Sequence, residues 1–135
     1  MAETYFADAW LFIALLERRD AHHQQAVRLE RTIPPSSIVT HDTVLTEVLT
    51  YFADEGEHPR LVAAQAVRSI LTRLIVVEVD RPLFLRALTL YERRYDKEYS
   101  LVDCISMVIM RERGIQHAIT NDHHFEQEGF ILVNE

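Results

Sequence analysis

The apolar positions of this chain fall into short continuous runs separated by longer stretches in which they recur at helical spacing. The short runs predict strands at residues 4–7, 37–40, 75–79, 117–120 and 130–133. The helical spacing predicts helices at residues 10–16, 21–33, 43–52, 61–74, 83–95, 100–113 and 123–127. This alternation predicts an α/β fold, a three-layer α/β/α sandwich with a mostly parallel central sheet. The strand 75–79 is continuous and β-branched, which predicts burial on both of its faces.

The segment Leu101–Met110 is the most apolar helical segment, and Asp103 and Ser106 are its interruptions. A helix that is apolar all round belongs inside a fold. A carboxylate in such a helix is costly unless it caps the helix, becomes protonated or faces a cation. Ser100 and Asp103 match the capping-box pattern, with Asp in place of the usual Glu. Both a helix cap and a cation site therefore remain open for Asp103.

Three further acids occupy related positions. Asp8 and Asp122 follow predicted strands, and Glu47, like Asp103, lies in an early turn of a helix. Ligands of parallel sheets bind beyond the carboxyl ends of the strands, so these acids are expected to converge. Each also has an ordinary interpretation, since Asp8 suits a helix N-cap and Glu47 a solvated surface. Converging carboxylates suit Mg²⁺ or Mn²⁺, and such ions support phosphodiester hydrolysis.

Composition narrows the class of protein. A chain of 135 residues, 48% hydrophobic and 26% charged, is expected to form one globular domain spanning residues 1–135. No apolar run has the length of a membrane span, and the N-terminus lacks a basic region followed by a long apolar stretch, so a cytoplasmic protein is expected. The single cysteine, Cys104, excludes an internal disulfide and a cysteine-based metal site, and is expected to be buried.

The net charge of −7 argues against tight nucleic-acid binding by this chain alone. However, Lys97 is the one lysine among 14 basic residues, and the others are arginines, which bind phosphate bidentately. Metal bound to several acids would also make the protein less negative.

Two pairs of adjacent histidines, His22-His23 and His123-His124, raise the possibility of a transition-metal site. Neighbouring side chains on a helix point about 100° apart, which makes each pair a poor chelator. Solvated surface histidines are the ordinary interpretation, and a proton shuttle beside Asp122 is the alternative for His123 or His124.

Four segments together resemble the PIN-domain nucleases, and in particular the VapC-like toxins of prokaryotic toxin–antitoxin pairs. They are Tyr5-Phe6-Ala7-Asp8, Leu45-Thr46-Glu47-Val48-Leu49, Ser100-Leu101-Val102-Asp103 and Thr120-Asn121-Asp122-His123-His124-Phe125. The resemblance covers essentially the whole chain. It implies a metal-dependent endoribonuclease in which Asp8, Glu47, Asp103 and Asp122 are the catalytic acids and the ligands of Mg²⁺ or Mn²⁺, supported by the hydroxyl of Thr120.

The resemblance also implies an RNA substrate, a homodimer and a small antitoxin partner. The segments His22–Ile33 and Leu61–Leu74 are expected to supply the dimer face. One departure concerns Ala9-Trp10, because family members often carry Ser or Thr after the first Asp. Trp10 would then either block a path to the site or offer a base a stacking surface.

Two other functions compete with a nuclease. One is a catalytically inactive PIN-like domain that binds a protein partner, which would need no divalent ion. The other is a phosphate-receiver signalling domain, which usually needs a lysine near its acidic pocket. Lys97, in a polar turn, argues against the receiver.

Overall fold

Within residues 3–135, which a computed structural model describes, five parallel strands form the central sheet. Met1 and Ala2, the first residues of the expected 1–135 domain, lie outside the described part. The strands are β1 (Tyr5–Ala7), β2 (Ile38–His41), β3 (Ile75–Val77), β4 (His117–Ile119) and β5 (Ile131–Val133). Their order across the sheet is β3-β2-β1-β4-β5.

Helices connect every pair of successive strands. They are α1 (Ala9–Leu16), α2 (His23–Thr32), α3 (Asp42–Tyr51), α4 (Glu57–Arg73), α5 (Arg81–Arg93), α6 (Leu101–Arg113) and α7 (His123–Gln127), and a short 3₁₀ turn covers Pro35–Ser37. The chain crosses the sheet in one direction through α1 to α4 and returns through α5 to α7. Right-handed crossovers place these two groups on opposite faces. The predicted sandwich with a parallel sheet is therefore confirmed.

The prediction that the third strand is buried on both faces is wrong. It ends at Val77 rather than Val79, and it is one of the two edge strands of the sheet, where Ile75 is 40% exposed. A continuous apolar run is typical of a central parallel strand, but the run alone does not fix a strand's place in the sheet.

Helix α4 begins four residues before the predicted start at Leu61. Gly56 precedes it with φ +99°, a left-handed conformation that glycine adopts without strain. Pro59 is the third helical residue, where the missing N–H has no partner within the helix. Gly56 and Pro59 therefore belong to the start of this helix.

Helix α6 is the buried helix that its composition predicts. Its buried residues include Cys104, Ile105, Met107, Ile109 and Met110. Burial raises the pKa of the Cys104 thiol to about 11, so this group is an uncharged apolar side chain at neutral pH. The helix ends at Gly114, which adopts the left-handed conformation with φ +67°. Asp103 thus lies in the first turn of a largely buried helix.

Among residues 3–135, no helix combines the length and the apolar character that spanning a membrane requires.

Candidate active site

The neighbouring strands β1 and β4 form the point at which the chain reverses its direction across the sheet. Helices α1 and α7 leave these strands towards opposite faces, which opens a crevice at their carboxyl ends. Asp8 follows β1 directly and Thr120 follows β4 directly. The Thr120 hydroxyl donates to Asp8 Oδ2 at 3.0 Å, and the Asp8 N–H donates to the carbonyl oxygen of Ile119 at 3.2 Å. The sheet register therefore sets this pair at the crevice.

Asp8 occupies the N-cap position of α1 with extended backbone angles, but its side chain makes no cap hydrogen bond. The helix-cap interpretation is therefore right for the position of Asp8 and wrong for its carboxylate. That carboxylate is held by Thr120.

Asp103 combines the two interpretations that its sequence left open. The Ser100 hydroxyl accepts a hydrogen bond from the Asp103 N–H at 3.0 Å, and Asp103 Oδ2 accepts one from the Ser100 N–H at 3.0 Å, which completes a capping box. The same Oδ2 lies 2.9 Å from Nδ1 of His124. Both interactions fall on one oxygen, so the cap does not engage Oδ1. Asp103 caps its helix and also belongs to the acidic group.

Asp122 is the N-cap of α7, and its Oδ1 accepts a hydrogen bond from the His124 N–H at 2.9 Å. Its own N–H donates to Thr120 Oγ1 at 3.2 Å. Thr120, which is fully buried, therefore links Asp8 and Asp122 through one hydroxyl. Glu47 lies in the second turn of α3 at an exposed position.

The charges of these acids act on one another. Burial raises the pKa of Asp8 to about 6, and the charges of Asp103 and Asp122 raise it further, whereas the nearby backbone N–H of Ala9 and the hydrogen bond from Thr120 lower it. Glu47 is exposed as a whole residue, but partial burial of its carboxyl group raises the pKa to about 7, with further contributions from the charges of Asp8 and Asp103. The structure thus brings the four predicted acids into one electrostatic group, while their assignment as metal ligands stays a prediction.

Among the described residues, His124 forms the ion pairs with these acids, and no lysine or arginine is paired with them. Carboxylates that repel one another without a lysine or arginine partner match the oxygen donors that Mg²⁺ and Mn²⁺ prefer. The donor set therefore fits a hard divalent cation.

The sequence offers His124, together with His123, as a proton shuttle beside Asp122, but it does not predict the contact of His124 with Asp103. Partial burial lowers the pKa of its imidazole, but the hydrogen bond with Asp103 and the charges of Asp122, Asp103 and Glu98 outweigh burial and raise it. Its place two residues after Asp122, in the first turn of α7, was the available signal. That signal depends on the start of α6 meeting the start of α7, which the sequence alone does not give.

The other three histidines of the two pairs lie elsewhere. His123 is exposed and contacts Glu126, His22 contacts Gln25, and His23 contacts the carbonyl oxygen of Ala14. The two side chains of each pair thus have different neighbours, as their helical spacing predicts.

Trp10 is half-buried, and its ring lies 5.6 Å from the ring of His22 at a tilted angle. Ala9, the residue directly after Asp8, is buried. Neither side chain supplies the hydroxyl that often follows the first acid, so Thr120 is the hydroxyl residue in contact with Asp8.

Comparisons with known proteins agree with this geometry. A family model described as the PIN domain matches residues 5–130. The 23S rRNA-specific endonuclease VapC20 of Mycobacterium tuberculosis is 36% identical over 128 residues, which cover 95% of this chain and 96% of that protein. The crystal structure of M. tuberculosis VapC20, a sarcin–ricin loop cleaving toxin, matches with a TM-score of 0.87 and 33% identity over 98% of this chain and 100% of that one. DNA-bound VapBC from Salmonella typhimurium matches with a TM-score of 0.68 and 15% identity over 98% of both chains, a likeness of fold alone.

Proposed function

Because this chain belongs to the PIN-domain family as a VapC-like member, we propose that it is an endoribonuclease that uses Mg²⁺ or Mn²⁺ to hydrolyse RNA phosphodiester bonds. The observation that carries the proposal is that the charges of Asp8, Glu47, Asp103 and Asp122 act on one another, with no lysine or arginine paired to them among the described residues. An inactive interaction module would not need this arrangement.

The protein's own groups prepare the site in three ways. Thr120 orients Asp8 and, through the backbone of Asp122, the start of α7. The Ser100 N–H holds Asp103 Oδ2, which fixes the direction of that carboxylate. A divalent cation, when bound, would lower the pKa of a water molecule and stabilise the negative charge on the phosphoryl oxygens. The four acids would hold the cation, and their fixed orientation would limit the reorganisation needed on binding.

The substrate class is RNA, and the cytoplasm is the proposed compartment of action. The 36% identity to a 23S rRNA-specific endonuclease makes a stem-loop with the sarcin–ricin sequence the first substrate to test. Single-stranded or looped RNA is favoured because its backbone and bases are accessible.

The test is cleavage of that stem-loop by purified protein with Mg²⁺ or Mn²⁺, with and without EDTA. Cleavage is expected with either ion and is expected to stop in EDTA and in the Asp8→Asn variant. The matched control is Asp54→Asn, which removes an exposed acid and should cleave normally. Cleavage by Asp8→Asn at the wild-type rate would exclude this site.

Two partners follow from the family. A small antitoxin protein is proposed because several similar folds are those of toxin–antitoxin complexes. Co-expression with the product of a neighbouring small gene should yield a complex that purifies intact and no longer cleaves RNA.

A homodimer is proposed as well. On α4, within one of the two segments expected at the dimer face, Leu61 is 57% and Leu71 is 51% exposed. Light scattering should report twice the monomer mass, and Leu61→Glu should shift it towards monomer. A wild-type monomer at high concentration would exclude the dimer.

A further inference from the structure

We propose that Nδ1 of His124 is a direct metal ligand beside Asp103 and Asp122, where the ion replaces the proton that Nδ1 donates to Asp103 and releases it to solvent. The site then has one nitrogen donor and takes Mn²⁺ or a similar transition-series cation in preference to Mg²⁺. The proposal rests on the proposed function, because it concerns the same metal site.

The distances from His124 Nδ1 to the two carboxylates are those between neighbouring ligands of one ion. His124 Nδ1 lies 2.9 Å from Asp103 Oδ2 and 3.4 Å from Asp122 Oδ1. One ligand atom from each of the three residues lies within 4.8 Å of the other two. Ligands about 2.1 Å from an ion are about 3.0 Å apart at right angles and about 3.4 Å apart in a tetrahedron. Both distances from Nδ1 to the carboxylates therefore fit neighbouring ligands of a single ion.

Packing holds the imidazole in this direction without metal. The backbone N–H of His124 donates a hydrogen bond to Asp122 Oδ1, and the imidazole ring lies 5.4 Å from the ring of Tyr99. The Tyr99 hydroxyl donates to the buried carboxylate of Glu128, which fixes Tyr99 in turn. The His124 side chain is 27% exposed, so an ion from solvent can reach it. A ligand fixed in this way loses little conformational freedom on binding.

The chemistry of the donors sets the preference among cations. Carboxylate oxygens suit both Mg²⁺ and Mn²⁺, whereas imidazole favours transition-series ions. Mg²⁺ also demands near-ideal octahedral geometry and retains several waters. A nitrogen ligand should therefore strengthen the binding of Mn²⁺ more than that of Mg²⁺.

Pulsed electron paramagnetic resonance of the wild-type protein loaded with Mn²⁺ tests the ligand directly. Electron spin echo envelope modulation should show one nitrogen coordinated to the ion, and this signal should be lost in His124→Gln. Calorimetry should show Mn²⁺ affinity at least about tenfold lower in His124→Gln, with Mg²⁺ affinity changed by less than about threefold. The control is His123→Gln, since His123 is 83% exposed and contacts Glu126 on the surface.

The outcomes separate this inference from the function on which it rests. A wild-type protein that binds Mn²⁺ and cleaves RNA but shows no coordinated nitrogen overturns the inference alone, and His124 then only bonds to Asp103. Equal losses of Mn²⁺ and Mg²⁺ affinity in His124→Gln overturn the preference. A wild-type protein that binds neither ion overturns both the inference and the proposed function. The spectroscopic test needs no variant, so misfolding of His124→Gln cannot obscure it.

Discussion

The hydroxyl of Thr120 donates to Asp8 Oδ2 at 3.0 Å, although 112 residues separate the two positions in the chain. Their strands are neighbours in the sheet, and Ala7 pairs with Ile119 in the preceding register position. The same hydroxyl also accepts a hydrogen bond from the backbone N–H of Asp122. One buried side chain therefore connects two of the candidate metal ligands.

Thr120→Val keeps the shape of the buried side chain but removes the hydroxyl that orients Asp8. We expect the affinity for Mn²⁺ to fall by about 10–100-fold, as for other hydrogen bonds that orient metal ligands. The control is Thr120→Ser, which retains the hydroxyl and should retain most of the affinity. Calorimetry that gives equal affinities for the Val variant and the wild type would contradict this role.

The stability of the metal-free protein should fall as the pH rises from about 4 to about 7. The folded-state pKa values are about 6 for Asp8 and about 7 for Glu47, whereas carboxyl groups in unfolded chains titrate near pH 4. The folded state thus binds extra protons in this interval, and linkage makes it lose stability as they dissociate. Glu47 is exposed, so solvent screens its contribution to this change in stability, and Asp8 should contribute most of it.

The measurement for this prediction is the melting temperature in EDTA between pH 4 and pH 8. His124, whose pKa is raised, also loses a favourable charge as the pH rises. The wild-type curve therefore combines both effects, and the comparison with Asp8→Asn isolates the effect of Asp8. Asp8→Asn should melt higher than the wild type at pH 8 and about the same at pH 4. Asp54→Asn should match the wild type throughout. An Asp8→Asn variant that melts lower at pH 8 would mean that Asp8 stabilises the metal-free fold.

The structure changes what Asp103→Asn can test. The sequence predicts a higher melting temperature in EDTA if Asp103 belongs to a metal site, and a neutral or lower one if it is a cap. Asp103 both caps α6 and contacts His124. The substitution therefore removes the repulsion between Asp103 and the other acids together with its attraction to His124. Asp8, whose side chain makes no cap bond, separates the effects more cleanly.

Glu128 anchors the segment beside the site. Its buried carboxylate accepts two hydrogen bonds from Arg94, both at 2.9 Å, and one from Tyr99 at 3.0 Å, and Arg111 lies within 3.2 Å. The bonds from Arg94 are the main reason that the pKa of Glu128 is lowered. Its stabilising charge is therefore present above the unfolded pKa, near 4.3, and is lost as the pH falls through the folded value.

Glu128→Gln should therefore destabilise the protein by about 1–3 kcal/mol, below the usual range for a fully buried pair because Arg94 is 37% exposed. The matched control is Glu112→Gln, which breaks the exposed pair with Arg86 and should change stability by less than about 1 kcal/mol. Urea unfolding at pH 7 measures both. Equal effects would show that burial of Glu128 adds nothing.

The order of strands and helices and the position of Asp8 and Asp122 after strands could be predicted from the sequence. Apolar periodicity and the carboxyl-end rule for parallel sheets depend on local pattern. The position of β3 at the edge of the sheet could not be predicted, because the order of strands across a sheet is set by long-range pairing. The contact of His124 with Asp103 could not be predicted for the same reason, since it joins two helix starts 21 residues apart.

The most direct test of the central claim is the rate of RNA cleavage by wild type and Asp103→Asn in Mn²⁺, with both proteins shown to be folded by their melting curves. If the four carboxylates share a divalent cation, the variant should cleave at least about 100-fold more slowly, and EDTA should abolish the wild-type activity. A folded Asp103→Asn protein that cleaves at the wild-type rate, or wild-type cleavage that persists in EDTA, would contradict the account.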